Sequence, residues 1–142
     1  MIEIVVDTSA LQRSSSGSIT GALFVRMDGI PFPDDGWSDF PVVVLGWWVD
    51  AVHRLLGGLS EEEELDFMDG PQSLVLKRRD DGAVAIGCRT GQSGLQLDHE
   101  TVVPESTLRD QVVKAARVVV ATCERNGWQG SDVRNLQECI GA

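Results

Sequence analysis

Residues 27–69 read MDGIPFPDDGWSDFPVVVLGWWVDAVHRLLGGLSEEEELDFMD, and they concentrate the unusual features of the chain. They hold three of the four tryptophans, Trp37, Trp47 and Trp48. They also hold eleven acidic residues and a single base, Arg54, which together account for the whole net charge of −10. The rest of the chain is neutral, because its acids and bases cancel. A localised charge of this size beside an apolar segment predicts a binding surface rather than a catalytic cleft.

The middle of this stretch is apolar and predicts a helix that ends near residue 56. Ser38 or Asp39 is the expected N-cap, since either side chain can accept a hydrogen bond from the first helical turn. The helix is favoured by a core-facing stripe at spacings of four, four and three residues, formed by Val44, Trp48, Val52 and Leu55.

The same apolar segment leaves a second structure open. Residues 42–45, VVVL, suit a buried strand equally well, with Gly46 as the break before a shorter helix that begins at Trp47. Gly57-Gly58 ends the helix in either case, because glycine readily adopts the left-handed conformation found at helix C-termini.

The segment upstream of this stretch predicts strands. Residues 2–6 and 19–27 are rich in β-branched and aromatic side chains. Asp28-Gly29 is a hairpin signal, so residues 30–32 should form a third strand. Prolines within and just after that strand cannot donate ladder hydrogen bonds, which predicts an edge strand or an extended arm.

Downstream of the acidic run at residues 60–64, turn residues separate further apolar stretches. Strands are predicted at residues 65–68, 73–79 and 83–89, with another short strand near Leu95 and Leu97 after a loop at residues 91–94. A long helix is then predicted from Pro104 to Asn126, started by Pro104 or capped by Ser106, and Ser131 caps a last short helix. The core stripe of the long helix is formed by Leu108, Val112, Ala115, Val119 and Cys123.

This order of elements predicts an α+β fold in a single domain over residues 1–142. Hairpin turns dominate between the strands, so we expect a mainly antiparallel sheet of about five to six strands. Two longer helices and a short C-terminal helix should pack on it.

The composition excludes several classes of protein. With 142 residues and 42% hydrophobic content, the chain is long enough for one core. It has no apolar run of the roughly 18 residues that a membrane span needs. Glu3 and Asp7 interrupt the N-terminal apolar segment, so no signal peptide is predicted and we expect a cytoplasmic protein. A pI near 4.5 argues against nucleic acid as a direct ligand.

Catalytic and metal-binding motifs are not evident in the sequence. The two histidines, His53 and His99, have no sequence partner that suggests acid–base chemistry, and the three cysteines form no CxxC pair. Residues 61–64 are four consecutive glutamates, which lack the spaced ligands of a calcium loop. We therefore expect no enzyme, no catalytic residue, no metal and no cofactor.

The acidic stretch and its tryptophans instead predict a protein interface. Consecutive helical residues point about 100° apart, so Trp47 and Trp48 cannot both face the core. An aromatic anchor with a charged rim is the usual anatomy of an interface. The predicted partner-binding residues are Asp34, Asp35, Trp37, Asp39, Trp47, Glu61, Glu62, Glu63, Glu64, Asp66 and Asp69.

Three segments resemble the small acidic immunity proteins of bacterial polymorphic toxin systems. They are FPDDGWSDFPVVVLGWW at residues 32–48, ELDFMDGP at 64–71, and VVPESTLRDQVVKAA at 102–116 followed by NGW. The resemblance implies a cytoplasmic α+β inhibitor whose cognate toxin is basic, such as a nuclease or a nucleic-acid deaminase. Two alternatives remain: a small-ligand binder or enzyme with a pocket between the sheet and the helix that starts at Pro104, or a structural adaptor.

Overall fold

The computed structural model describes residues 1–68, 70–90 and 97–141, excepting the side chains of residues 97 and 98. The predicted α+β class, with antiparallel strands, two longer helices and a short C-terminal helix, is confirmed. The strands are β1 (Ile2–Val6), β2 (Gln12–Arg13), β3 (Ile19–Met27), β4 (Ile30–Phe32), β5 (Ser38–Asp39), β6 (Glu62–Asp66), β7 (Ser73–Arg78), β8 (Ala83–Arg89) and β9 (Leu97–Pro104). The helices are α1 (Pro41–Leu56), α2 (Glu105–Arg125) and α3 (Ser131–Gly141), with a 3-10 turn at Thr8–Ala10.

The described strands divide between two antiparallel sheets. In the five-stranded sheet β3 is central, since Val25 pairs with Ile4 of β1 on one side and with Phe32 of β4 on the other. The predicted hairpin between β3 and β4 is confirmed: Asp28 and Gly29 both have positive φ, 51° and 85°. Two consecutive residues of this kind give the tight turn that matches the twist of antiparallel strands.

The second sheet is a four-stranded meander in the order β6-β7-β8-β9. Gly82, with φ 79°, sits in the predicted turn between β7 and β8. Alternate residues of β8 that were expected to share a face, Val84, Ile86 and Cys88, all point into the core. Among the described strands β6 pairs only with β7, so it forms one edge of this sheet.

Helix α1 settles the choice that the sequence left open between helix and strand. Residues 42–45 are helical, and the predicted stripe of Val44, Trp48, Val52 and Leu55 is buried. The predicted N-cap is wrong, because Ser38 and Asp39 form β5 and pair with β3. The helix begins at Pro41 and its N-cap, Phe40, makes no side-chain capping bond.

Two strand boundaries differ from the prediction. The strand expected at residues 65–68 begins earlier, at Glu62, because three glutamates of the acidic run join the ladder with β7. The short strand expected near Leu97 continues to Pro104, which is therefore the end of β9 and the N-cap of α2. The predicted loop at residues 91–94 and the prediction for Leu95 lie outside the described residues.

Helices α2 and α3 complete the core. The predicted α2 stripe, Leu108, Val112, Ala115, Val119 and Cys123, is buried, and Trp128 packs back against the core as expected. Helix α1 packs against α2, α3 and β6, so it lies at the centre of the helical layer. Across the described ranges, no helix has the length and apolarity needed to cross a membrane.

Candidate functional site

Asp39, one of the predicted binding residues, is an interior residue rather than a surface one. Its side chain is 2% exposed and accepts hydrogen bonds from the Trp37 indole Nε1 (2.8 Å) and from the backbone amides of Phe40 (2.7 Å) and Met68 (3.2 Å). A buried carboxylate with several donors is the usual way to compensate a desolvated charge. Asp39 therefore joins β5 and the start of α1 to the segment after β6.

Trp37 shares this structural role. Its ring is half-buried, packs edge-on against Phe67 with centroids 6.3 Å apart, and its only N–H is taken by Asp39. A side chain held in this way has little surface or hydrogen-bonding capacity left for a partner. The Trp37 indole is accordingly fixed by the fold, and its contact with a partner stays a prediction.

Three glutamates of the acidic strand β6 are paired with bases. Glu62 lies opposite Lys77 in the ladder, with 3.7 Å between Oε1 and Nζ. The carboxylate of Glu63 accepts from Arg54 of α1 at 2.8 Å, and that of Glu64 accepts from Arg89 of β8 at 2.6 Å. On β6, three of the eleven acids of residues 27–69 are thus paired with bases.

Two carboxylates of β6 have shifted pKa values of opposite sign. The Arg54 hydrogen bond lowers the pKa of Glu63 below its ordinary value. Burial, followed by the negative charge of Glu64, raises the pKa of Asp66. Glu63 is therefore stabilised as an anion on the helix-facing side of the strand, whereas ionisation of Asp66 is disfavoured.

The remaining predicted acids of the described chain lie in two exposed segments. Glu61 is exposed before β6, and Asp34 and Asp35 are exposed in the turn before β5, where Asp34 accepts from the Asp35 amide at 2.9 Å. No hydrogen bond or ion pair within the described part of the chain joins these two turn carboxylates to β6. Asp69 lies outside the described residues.

The adjacent tryptophans of α1 separate as expected, one inward and one outward. Trp48 is fully buried, packs at 90° against Phe67, and donates from Nε1 to the Asp66 carbonyl at 2.8 Å. Trp47 is 45% exposed. The Trp48 indole therefore links α1 to β6 in the core, and the Trp47 indole lies at the surface.

Trp47 lines a groove of about 550 Å³ between α1 and α3. Three carboxylates also line it, Asp50 from α1 and Asp132 and Glu138 from α3, and no Lys or Arg does. None of these three takes part in an ion pair among the residues that the structure describes. We call this site the Trp47 groove.

One thiol is built into the wall of the Trp47 groove. Cys139 of α3 donates from Sγ to Asp50 Oδ1 at 3.3 Å, which links the two helices. Burial, with a further contribution from the Asp50 hydrogen bond and charge, raises the pKa of Cys139 to about 11. The thiol is therefore protonated at neutral pH and acts as a donor to the carboxylate.

The carboxylates of the Trp47 groove were not predicted from the sequence. Asp50 follows Trp47 by three residues, a spacing that places both side chains on one helix face, so this signal was available. Asp132 and Glu138 lie far away in a segment whose net charge is zero, and only the packing of α3 against α1 brings them to Trp47.

The two histidines do not form a catalytic arrangement with a nucleophile in the described structure. His53 is exposed at the edge of the Trp47 groove. His99 Nε2 lies 3.0 Å from Asp28 Oδ2, and the Met1 ammonium and the Thr101 hydroxyl both hydrogen-bond to Asp28 Oδ1. The ammonium, followed by His99, lowers the pKa of Asp28, so this cluster acts as an exposed ionic link between β9 and the β3–β4 turn.

Comparison with protein-family models, curated proteins and solved structures finds no match. The pocket expected between the sheet and α2 under the ligand-binding alternative is occupied by apolar side chains, since Leu108, Val112 and Val119 are buried there. In the Trp47 groove, an exposed aromatic ring lies beside carboxylates that have no ion-pair partner among the described residues.

Proposed function

We propose that the protein is a cytoplasmic binding protein without enzymatic activity, an immunity protein that neutralises a cognate basic toxin domain by direct contact. The observation that carries this proposal is the exposed Trp47, which stands beside three carboxylates that have no described ion-pair partner. An aromatic residue in a concave, charged setting is the usual composition of an interface hot spot.

The charge of the Trp47 groove supports a basic partner. Carboxylates without an ion-pair partner attract a cationic surface during encounter, and this attraction weakens with salt over about 8–10 Å. Proteins that act on nucleic acids carry basic clefts for phosphate binding. An acidic protein that covers such a cleft would inhibit the enzyme by excluding its substrate.

The proposal is tested by capture followed by an activity assay. The tagged protein is used to recover basic proteins from extracts of the native organism at low and at high salt. A recovered protein is then purified and assayed for nuclease or nucleic-acid deaminase activity. We expect stoichiometric inhibition by the wild type, and association that slows as salt is raised.

Trp47→Ala should accelerate dissociation by about 30-fold or more, the effect of losing a hot spot worth about 2 kcal/mol. The matched control is Ile30→Ala, which removes another exposed apolar side chain (52% exposed) from β4, away from the groove. Equal dissociation rates for the two variants, or a captured protein with no activity to inhibit, would count against the proposal.

A further inference from the structure

The Trp47 groove has a chemistry more specific than a general acidic surface. Trp47 and Asp50 lie one turn apart on α1, so the indole and a carboxylate are presented side by side. Glu138 and Cys139 face them from α3. A group that enters the groove therefore meets an aromatic ring and carboxylates from two helices.

Asp50 has free capacity to accept hydrogen bonds from such a group. Its Oδ1 accepts from the Cys139 thiol, and no described residue donates to its Oδ2. Arg54 interacts electrostatically with Asp50, but its guanidinium is hydrogen-bonded to Glu63 at 2.8 Å. The thiol contact thus orients the Asp50 carboxylate without neutralising it.

We propose that the Trp47 groove binds an arginine side chain of the partner, with its guanidinium stacked on the Trp47 indole and paired with Asp50 and Glu138. This inference rests on the proposed function and specifies the partner's anchoring residue. A planar, weakly hydrated guanidinium can stack on an aromatic face and donate two parallel hydrogen bonds to a carboxylate at once. An ammonium is compact and strongly hydrated, so lysine satisfies only the charge.

A bound metal ion is a less suitable occupant. No group of three or more metal-type ligands is assembled within residues 1–68, 70–90 and 97–141. The aromatic wall also offers nothing to a hard cation that prefers oxygen ligands. An organic cation uses both the indole and the carboxylates.

The test uses short peptides of the form Gly-Ser-X-Ser-Gly, acetylated and amidated, with X as arginine, lysine or citrulline. Citrulline is the matched control because it keeps the shape of arginine and lacks its charge. Binding is followed by the ¹⁵N–¹H resonances of the full-length protein, in which the four indole signals are separately assigned. We expect saturable shifts of the Trp47 indole and of the α3 amides near Cys139 with the arginine peptide.

The expected order of affinity is arginine, then lysine about fivefold weaker, with no saturable shift for citrulline. Asp50→Asn and Glu138→Gln should each weaken arginine binding by about tenfold or more, the effect of losing one charge-assisted hydrogen bond. Glu62→Gln on β6 is the control and should leave the affinity unchanged, because Glu62 faces Lys77 outside the groove.

Three results overturn the inference: equal shifts with arginine and citrulline, shifts centred on β6, or Trp47 shifts that follow protein concentration without peptide. The last result would assign the groove to a second copy of the chain. If the peptide results are negative while Trp47→Ala still releases the captured basic protein, the proposed function stands with a different anchor. If Trp47→Ala has no effect on capture, the proposed function itself fails.

Discussion

Strand β6 and the Trp47 groove both present three or more carboxylates, yet their electrostatic states differ. On β6, Glu62, Glu63 and Glu64 each face a base that comes from a different element, β7, α1 or β8. In the groove the carboxylates of Asp50, Asp132 and Glu138 have no such partner among the described residues. Charge density along a sequence is therefore a poor guide to charge at a surface.

Strand pairing explains one of these ion pairs, that of Glu62 with Lys77 on the neighbouring strand β7. A strand in a sheet meets a fixed set of neighbours, and opposite charges across a ladder are favourable, so charged strands tend to be matched by charged partners. Acidic side chains on an edge strand also discourage pairing with other chains. The acidic run of β6 thus has a structural explanation in its ion pairs. The groove carboxylates have no ion-pair partner among the described residues, although Asp50 accepts from Cys139 and Asp132 lies in the first turn of α3.

The largest expected difference is in the free energy of unfolding when each of the two tryptophans of α1 is replaced. Trp48→Ala should lower the free energy of unfolding by about 3–5 kcal/mol, because it leaves a cavity and removes the donor to the Asp66 carbonyl. Trp47→Ala should change it by less than about 1 kcal/mol, since that ring is already partly in water. Urea denaturation followed by circular dichroism measures both.

A Trp47→Ala loss as large as that of Trp48→Ala would contradict the comparison. It would mean that the Trp47 indole is a packing residue of the α1–α3 interface, and that its exposure has no functional meaning. Retained stability with lost binding is the outcome that separates the groove from the core.

The next effect concerns the thiol in the groove wall. With a pKa of about 11, only about one in a thousand Cys139 side chains is a thiolate at pH 8, against about a quarter for an ordinary cysteine. Iodoacetamide should therefore alkylate the folded protein slowly. Asp50→Asn should speed alkylation of Cys139 several-fold, because it removes an anion that disfavours the thiolate.

Asp132→Asn is the control for this experiment, since Asp132 lines the same groove but makes no described hydrogen bond to Cys139. Mass spectrometry identifies the modified residue, and Cys88 and Cys123 should stay unmodified because they are buried. Equal rates for both variants would show that Asp50 does not control the thiol.

Much of the fold was predictable because its signals are local. The hairpin at Asp28-Gly29, the α1 stripe through Trp48 and the α2 stripe through Val112 depend on residues a few positions apart. The boundaries of β6 and the cap of α1 were not predictable in this way. Glu62 is in a strand because it pairs with Lys77 in the ladder between β6 and β7. Asp39 can be buried because the Trp37 indole and the Met68 amide donate hydrogen bonds to it.

The site was less predictable than the fold, for the same physical reason. The outward direction of one tryptophan followed from helix geometry, but the identity of its neighbours depends on how α3 docks on α1. The expected surface of Asp34, Asp35, Glu61 to Glu64 and Asp66 rested on adjacency in sequence. The ion pairs of Glu63 with Arg54 and of Glu64 with Arg89 join different elements, so adjacency in sequence does not predict them.

The smallest expected effect tests whether β6 charges stabilise the fold. Glu63 has a lowered pKa, so its contribution is present above its unfolded value near 4.5 and is lost as the pH falls through the folded pKa. Glu63→Gln should therefore be less stable than the wild type at pH 7, by about 0.2–1 kcal/mol because Arg54 is half-exposed. The two should converge in stability toward pH 3.

Asp66, on the same strand, has a pKa shift of the opposite sign and therefore the opposite dependence of stability on pH. Its raised pKa means that the stabilising form is the protonated one, present below the unfolded value near 3.8 and lost as the pH rises through the folded pKa. Asp66→Asn should thus equal or exceed the wild type in stability at pH 7, by a few tenths of a kcal/mol. Urea midpoints between pH 3 and pH 7 measure both differences.

Both variants could instead be destabilised at pH 7 and change in stability with pH in the same direction. That result would mean that the paired Glu63 and the unpaired Asp66 affect the stability of the fold in the same way. The contrast between β6 and the Trp47 groove depends on that difference. Without it, an ion pair with a base would not distinguish a carboxylate that stabilises the fold from one that is available to bind a partner.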